Sequence, residues 1–148
     1  MFAFSFDKNV ALMVGWLTTK PYFHEQEDYA VLIDCIERYQ NSGKPGDPLK
    51  IILLVDPDVP MPNATWRKQF AKTRTKTYFP FLFVTVTKSP LLRGVLTMVN
   101  WVSPPPAGSG TNSVESFDEA VQWIESNTGR KLMGAKKLLE EATSRKSR

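Results

Sequence analysis

Two carboxylates, Asp56 and Asp58, leave the end of the apolar run Ile51-Ile52-Leu53-Leu54-Val55 and enter a proline-bearing turn, LVDPDVPMPNATWR. Paired carboxylates at a strand end could hold a divalent cation or act as acid and base, the chemistry of a metal-dependent hydrolase or phosphoryl-transfer enzyme. Either task needs further ligands or a partner group, and the sequence identifies none. A phosphate cradle would need glycines that admit backbone amides to the anion, and neither a Walker nor a dinucleotide-binding pattern occurs. The simpler reading is that each acid ends the strand and starts a turn, with Pro57 and Pro60 excluding regular pairing. No catalytic residue, metal or cofactor is therefore expected.

His24, the single histidine, stands beside Glu25, Glu27 and Asp28, and the single cysteine, Cys35, precedes Ile36. Sequence order alone does not exclude a triad assembled in space. A surface histidine and a buried structural thiol are nevertheless expected, because Cys35 falls inside a helical apolar pattern.

The segment Thr65 to Thr77 combines five bases with Trp66 and Phe70. As a helix it turns Trp66, Phe70 and Thr73 inward and leaves Arg67, Lys68, Lys72 and Arg74 on a basic outer face. Such a face can be a solvated surface or can attract an acidic protein, nucleic acid or anionic lipid, and Coulombic attraction does not choose among these. The expected docking set is Asp58, Val59, Met61, Asn63, Thr65, Arg67, Lys68, Lys72 and Arg74. In it Val59 and Met61 are apolar anchors inserted into a partner. Arg93, in an otherwise apolar segment, needs water or an acid, and Asp56 or Asp58 is the expected partner. Trp16, Trp66, Trp101 and Trp123 are expected in or near the core, with Trp101 the most exposed.

The chain that must position these groups has 148 residues and is 42% apolar, enough for one domain with its own core. Its formal net charge of +4 is mild for a dedicated nucleic-acid binder, so nucleic acid is not the expected partner. The charge is unevenly spread. Residues 1–63 hold nine acids against five bases, 64–88 hold six bases and no acid, and 129–148 hold seven bases against two acids. One cysteine permits no internal disulfide, which points to a reducing cytoplasm. The opening MFAFSFDKNV lacks the pattern of a signal peptide, and no apolar run approaches the ~20 residues of a membrane span.

Phe2, Phe4 and Phe6 alternate at the strand period, and Val10 to Thr18 follows a short turn, which predicts an amino-terminal hairpin. Acids crowd the start of a helix from Tyr22, with Pro21 in its first turn, and apolar residues recur at helical spacing up to Gly43. Leu49 to Val55 reads as the central strand, covered on both faces. A helix capped by Asn63 or Thr65 runs to about Thr73, Tyr78 to Thr87 is a strand, and Ser89-Pro90 opens a helix reaching Val102. Residues 103–110 read as a proline- and glycine-rich loop, with a short strand around Ser113 to Glu115. Ser116 and Glu119 form a capping-box-like pattern for a helix ending at Gly129, and beyond the domain of residues 1–128 a basic helix or tail follows, in which Leu132 to Ser144 is helix-prone and expected to lie against the body or to fray at Arg145 to Arg148. A hairpin followed by alternating helices and strands implies one mixed sheet with crossover helices.

With this order in hand, FAFSFDKNVALMVGWLT, KIILLVDPD and SFDEAVQWIESNTGR resemble the STAS and SpoIIAA-like group, the fold of bacterial anti-sigma factor antagonists. The likeness covers most of residues 2–128 and is most specific in the closing Ser-x-x-Glu-Ala-x-x-Trp. It implies a stand-alone bacterial regulatory module, non-enzymatic, with a kinase-like or switch protein as partner. In regulatory members of that group the helix after the central strand starts with a phosphorylatable serine, commonly preceded by aspartate. The Asp-Ser pair is missing here. Asn63 or Thr65 takes the helix start, and Thr65 is the candidate phosphosite.

Overall fold

The computed structural model describes residues 1–44, 46–75, 80–93 and 109–144, with the side chains of 71 and 73–75 also outside the description. Among the described residues, five strands form one mixed sheet in the order β1 (Phe2–Asp7), β2 (Leu12–Leu17), β3 (Leu49–Val55), β4 (Phe81–Val86), β5 (Gly110–Val114). The hairpin pairs β1 with β2 antiparallel, Phe2 opposite Leu17 and Asp7 opposite Leu12, and every later pair is parallel. The expected α/β class with an amino-terminal hairpin and a central β3 is what forms.

Parallel neighbours need long connections, and these are the helices α1 (Glu25–Tyr39) and α2 (Ala64–Thr75) and a helical turn over residues 90–93. Strands that follow one another in spatial order send right-handed crossovers to a single face of the sheet. The strand side chains sort accordingly. Ile51, Leu53 and Val55 pack with α1 and α2, while Leu12, Val14, Ile52 and Val84 pack with α3 (Phe117–Thr128) and α4 (Ala135–Ser144) on the other face. The continuous apolar run of β3 reflects burial on both sides.

Several boundaries differ from expectation for local reasons. Helix α1 starts at Glu25, not at Tyr22, because the backbone is still extended at His24, φ −117° and ψ 105°. His24 is the N-cap, and its backbone N–H is accepted by Asp28 Oδ2 at 2.9 Å. The forward half of the expected cap at the start of α3 is present, Ser116 Oγ accepting the Glu119 N–H at 3.2 Å, while Glu119 Oε2 reaches one residue past the cap and accepts the Glu115 N–H at 3.1 Å. Gly129 closes that helix in the left-handed conformation, φ 68°. β5 begins at Gly110, inside the expected loop, because its polar sequence GTNSV forms a half-buried strand without apolar alternation. The expected helix beyond Arg93, Trp101 and the loop over 103–108 lie outside the described residues.

The stretch after residue 128 lies against the body as far as it is described. Helix α4 buries Ala135, Leu138 and Ala142 against Leu12 and Val14, closing the second face over β1 and β2. Three small or apolar residues at helical spacing suffice for this, even though lysines and glutamates dominate the sequence there. Among the described residues, no helix is long and apolar enough to cross a membrane.

Candidate functional site

The turn after β3 begins where parallel pairing ends, with the Asp56 N–H donating to Leu17 O at 3.0 Å and the Val59 N–H to Asp56 O at 3.1 Å. One carboxylate is engaged from within β2 and the other from the segment that leaves it. Trp16 Nε1 donates to Asp56 Oδ1 at 3.0 Å, and the Thr19 hydroxyl donates to Asp58 Oδ2. The physical reason lies in the topology. Ligand crevices open in α/β sheets where connections from neighbouring strands leave toward opposite faces. Here the connections after β2 and β3 leave toward the same face, so they pack on one another, and the Thr19–Asp58 bond ties them together. Among the described residues, no three His, Cys, Asp or Glu side chains gather where they could hold a metal ion.

Arg93 does not meet Asp56 or Asp58, the partners expected for it from the sequence. Its Nη1 lies 2.9 Å from Glu115 Oε1, because the helical turn over 90–93 follows β4 and leans toward the connection after β5. His24 is exposed and packs against Tyr22, ring centroids 4.9 Å apart. Cys35 is buried in the cluster of Met13, Leu49, Ile51 and Phe81.

The inner side of the turn is held by Tyr29, whose role the sequence did not reveal. Its hydroxyl donates to Pro60 O at 3.1 Å, and its ring meets Phe23, Trp66 and Phe70 at centroid separations of 5.4, 5.5 and 5.5 Å. A buried tyrosine hydroxyl needs a partner, which was a usable signal, but the carbonyl that serves it is set by the turn's shape. Val59 is buried in the same cluster, 9% exposed, and Met61 is half-buried against it. Val59 therefore anchors the turn to its own domain and is not the inserted anchor expected for a partner. Asn63, not Thr65, caps α2, its Oδ1 accepting the Trp66 N–H at 3.0 Å. Arg67 Nη1 donates back to Pro62 O at 3.1 Å.

Trp66 and Phe70 face inward as the helical spacing predicts, and Asp58, Asn63, Thr65, Arg67, Lys68 and Lys72 are exposed. The side chains of Thr73 and Arg74 lie outside the described residues. The result is a basic helix face beside a turn fixed from within. A groove of about 420 Å³ between the β1–β2 turn and α4, lined by Asp7, Lys8, Lys137 and Glu141 among others, lies on the other layer.

Burial pushes the Tyr29 hydroxyl up to about 12, aided by the Glu25 and Asp28 carboxylates, and so keeps it a donor at neutral pH. Burial likewise pushes the Cys35 thiol up to about 11, against the opposing pull of Arg38. Both groups ionise later in the folded chain than in the unfolded one, whose values are 10.0 and 9.0. Their contribution to stability is therefore whole below about pH 9 and is lost as pH rises to about 12. Denaturant melts should show this alkaline loss, and a thiol reagent at neutral pH should label Cys35 only at the rate of opening. Immediate stoichiometric labelling of the native protein would contradict the burial argument.

Comparison of the chain with protein-family models, with curated proteins and with solved structures gives no match.

Proposed function

We propose that the chain is a non-enzymatic regulatory module of the STAS or SpoIIAA-like kind, which docks an acidic surface of another protein. The docking face is the outer side of the 58–63 turn and of α2, and a kinase-like or switch regulator is the partner type. The observation that carries this reading is the preorganised turn. The Tyr29–Pro60 bond, the buried Val59 and the Asn63 cap fix the base from which Arg67, Lys68 and Lys72 project. A surface already in its bound shape loses less conformational entropy on association, and exposed charges then set orientation and encounter rate. The exposed part of Met61 and the Pro60 ring supply the apolar contact, since Val59 is committed to the core.

A protein partner is favoured over a nucleic acid because the formal net charge of +4 is mild, and because α4, on the opposite face of the sheet from the basic α2, sets Lys136 and Lys137 against Glu140 and Glu141 and so extends no basic track along which a phosphate backbone could lie. Thr65 is exposed in the first turn of α2, two residues past the Asn63 cap. A phosphate there would sit favourably at the helix start yet place negative charge in front of Arg67 and Lys68, weakening an acidic partner's hold. A reducing cytoplasm fits a chain whose single cysteine is a buried thiol.

Affinity capture from the native cell with the wild type and with Arg67→Glu/Lys68→Glu tests the reading. The partner recovered by the wild type should bind the variant at least about tenfold more weakly, and its complex should weaken with added salt. Equal recovery by both proteins would remove α2 from the docking face.

A further inference from the structure

Among the described residues, α1 and α2 lie side by side in the outer layer and carry opposite net charge. Side chains turned to solvent on α1 include Glu27, Asp34 and Glu37, with Arg38 an exposed base in its last turn, and those on α2 include Arg67, Lys68 and Lys72 with no acid. Both helices are crossovers between parallel strands, so they run in the same direction, and Tyr29 against Trp66 and Phe70 sets their first turns level. Between Glu27 and Asp34, one turn from each, Val31 is 41% exposed and offers an aliphatic contact inside the acidic row.

An acidic row beside a parallel basic row is complementary to itself. A twofold axis lying between the helices and along them turns a second copy so that each α1 faces the other copy's α2, and the attraction is then used twice. A twofold axis across the helices would oppose like charges and is disfavoured. We propose that the α1–α2 layer is an isologous self-association surface whose occupant is a second copy of this chain. Four helices meeting through exposed charges and little apolar area belong to the small end of interfaces, below about 1,200 Å² in total, so the dimer is weak and salt-sensitive. The surface shares α2 with the docking face but is carried by the acids of α1, which docking does not use. Self-association and an acidic partner therefore compete for the same basic helix.

Sedimentation velocity on the purified full chain tests this. The wild type is expected to sediment as a dimer in about 50 mM salt and as a monomer in about 0.5 M, where the screening length is shorter than the gap between exposed charges. Arg67→Glu/Lys68→Glu/Lys72→Glu and Glu27→Lys/Asp34→Lys/Glu37→Lys should each be monomeric alone and form a dimer when mixed. Circular dichroism checks the fold of each, and the same mixing with Arg67→Glu/Lys68→Glu and Glu27→Lys/Asp34→Lys serves if a triple variant fails to fold. A wild type that stays monomeric at low salt, a dimer that survives in either variant alone, or a mixture that stays monomeric would overturn the proposal. The α1 variant also separates the two readings, because it should lose self-association while still capturing an acidic protein partner.

Discussion

Tyr29→Ala is expected to lower stability by about 3–5 kcal/mol in denaturant titration, the range for truncating a fully buried aromatic side chain. The ring is 2% exposed and stands among Phe23, Trp66 and Phe70, so its removal leaves a cavity where α1 meets α2. It also deprives Pro60 O of its donor. Tyr29→Phe separates the two terms, since it keeps the ring and removes only the hydroxyl, for a cost of roughly 1 kcal/mol. The phenylalanine variant should fold normally yet hold the turn less firmly, with faster amide exchange at Val59, whose N–H closes the turn on Asp56 O. If Tyr29→Phe matches the wild type in both measurements, the hydroxyl does not hold the turn.

The second large effect is expected at the amino end of β3. Lys50 is buried, its side chain 6% exposed, with Nζ donating to Val10 O at 2.7 Å and to Asp47 Oδ1 at 2.8 Å. Asp47 itself is 38% exposed. Removing the acid strands an ammonium in the core edge, and Asp47→Ala should cost about 3 kcal/mol, near the lower end of the range for breaking a buried pair from one side. Lys50→Met removes the buried charge and leaves a hydrated carboxylate, so it should cost much less, on the order of 1 kcal/mol for the unpaired Val10 carbonyl. The order of the two variants is the test. A Lys50→Met protein less stable than Asp47→Ala would show that the pair's attraction outweighs the desolvation of the lysine.

What the sequence disclosed about this molecule follows the distance over which each feature is determined. The apolar run of β3, the Ser116–Glu119 cap and the Gly129 stop are set by residues within one turn or one strand, and each is found where the pattern put it. The inward Trp66 and Phe70 follow from helical period alone. Features fixed by long-range pairing were not legible. The Trp16–Asp56 and Thr19–Asp58 bonds join residues about 40 apart in the chain, and the Glu115 partner of Arg93 depends on which strand lies next to β4. Val59 reads equally as a surface anchor or a core residue until the path of the turn is known. β5 escaped its true bounds because a polar edge strand lacks the alternation that marks a half-buried one.

The placement of α3 and α4 bears on how the chain is made. Strands β1 to β4 emerge from the ribosome well before the two helices that cover one of their faces, and Leu12, Val14, Ile52 and Val84 have no shelter on that side until residues 117–142 arrive. An unfinished chain would thus expose a broad sticky sheet, the kind of surface that invites aggregation or chaperone binding. Ribosome-bound intermediates ending before Phe117 should be captured by hydrophobic-surface probes, and completion of α4 is the event that silences them.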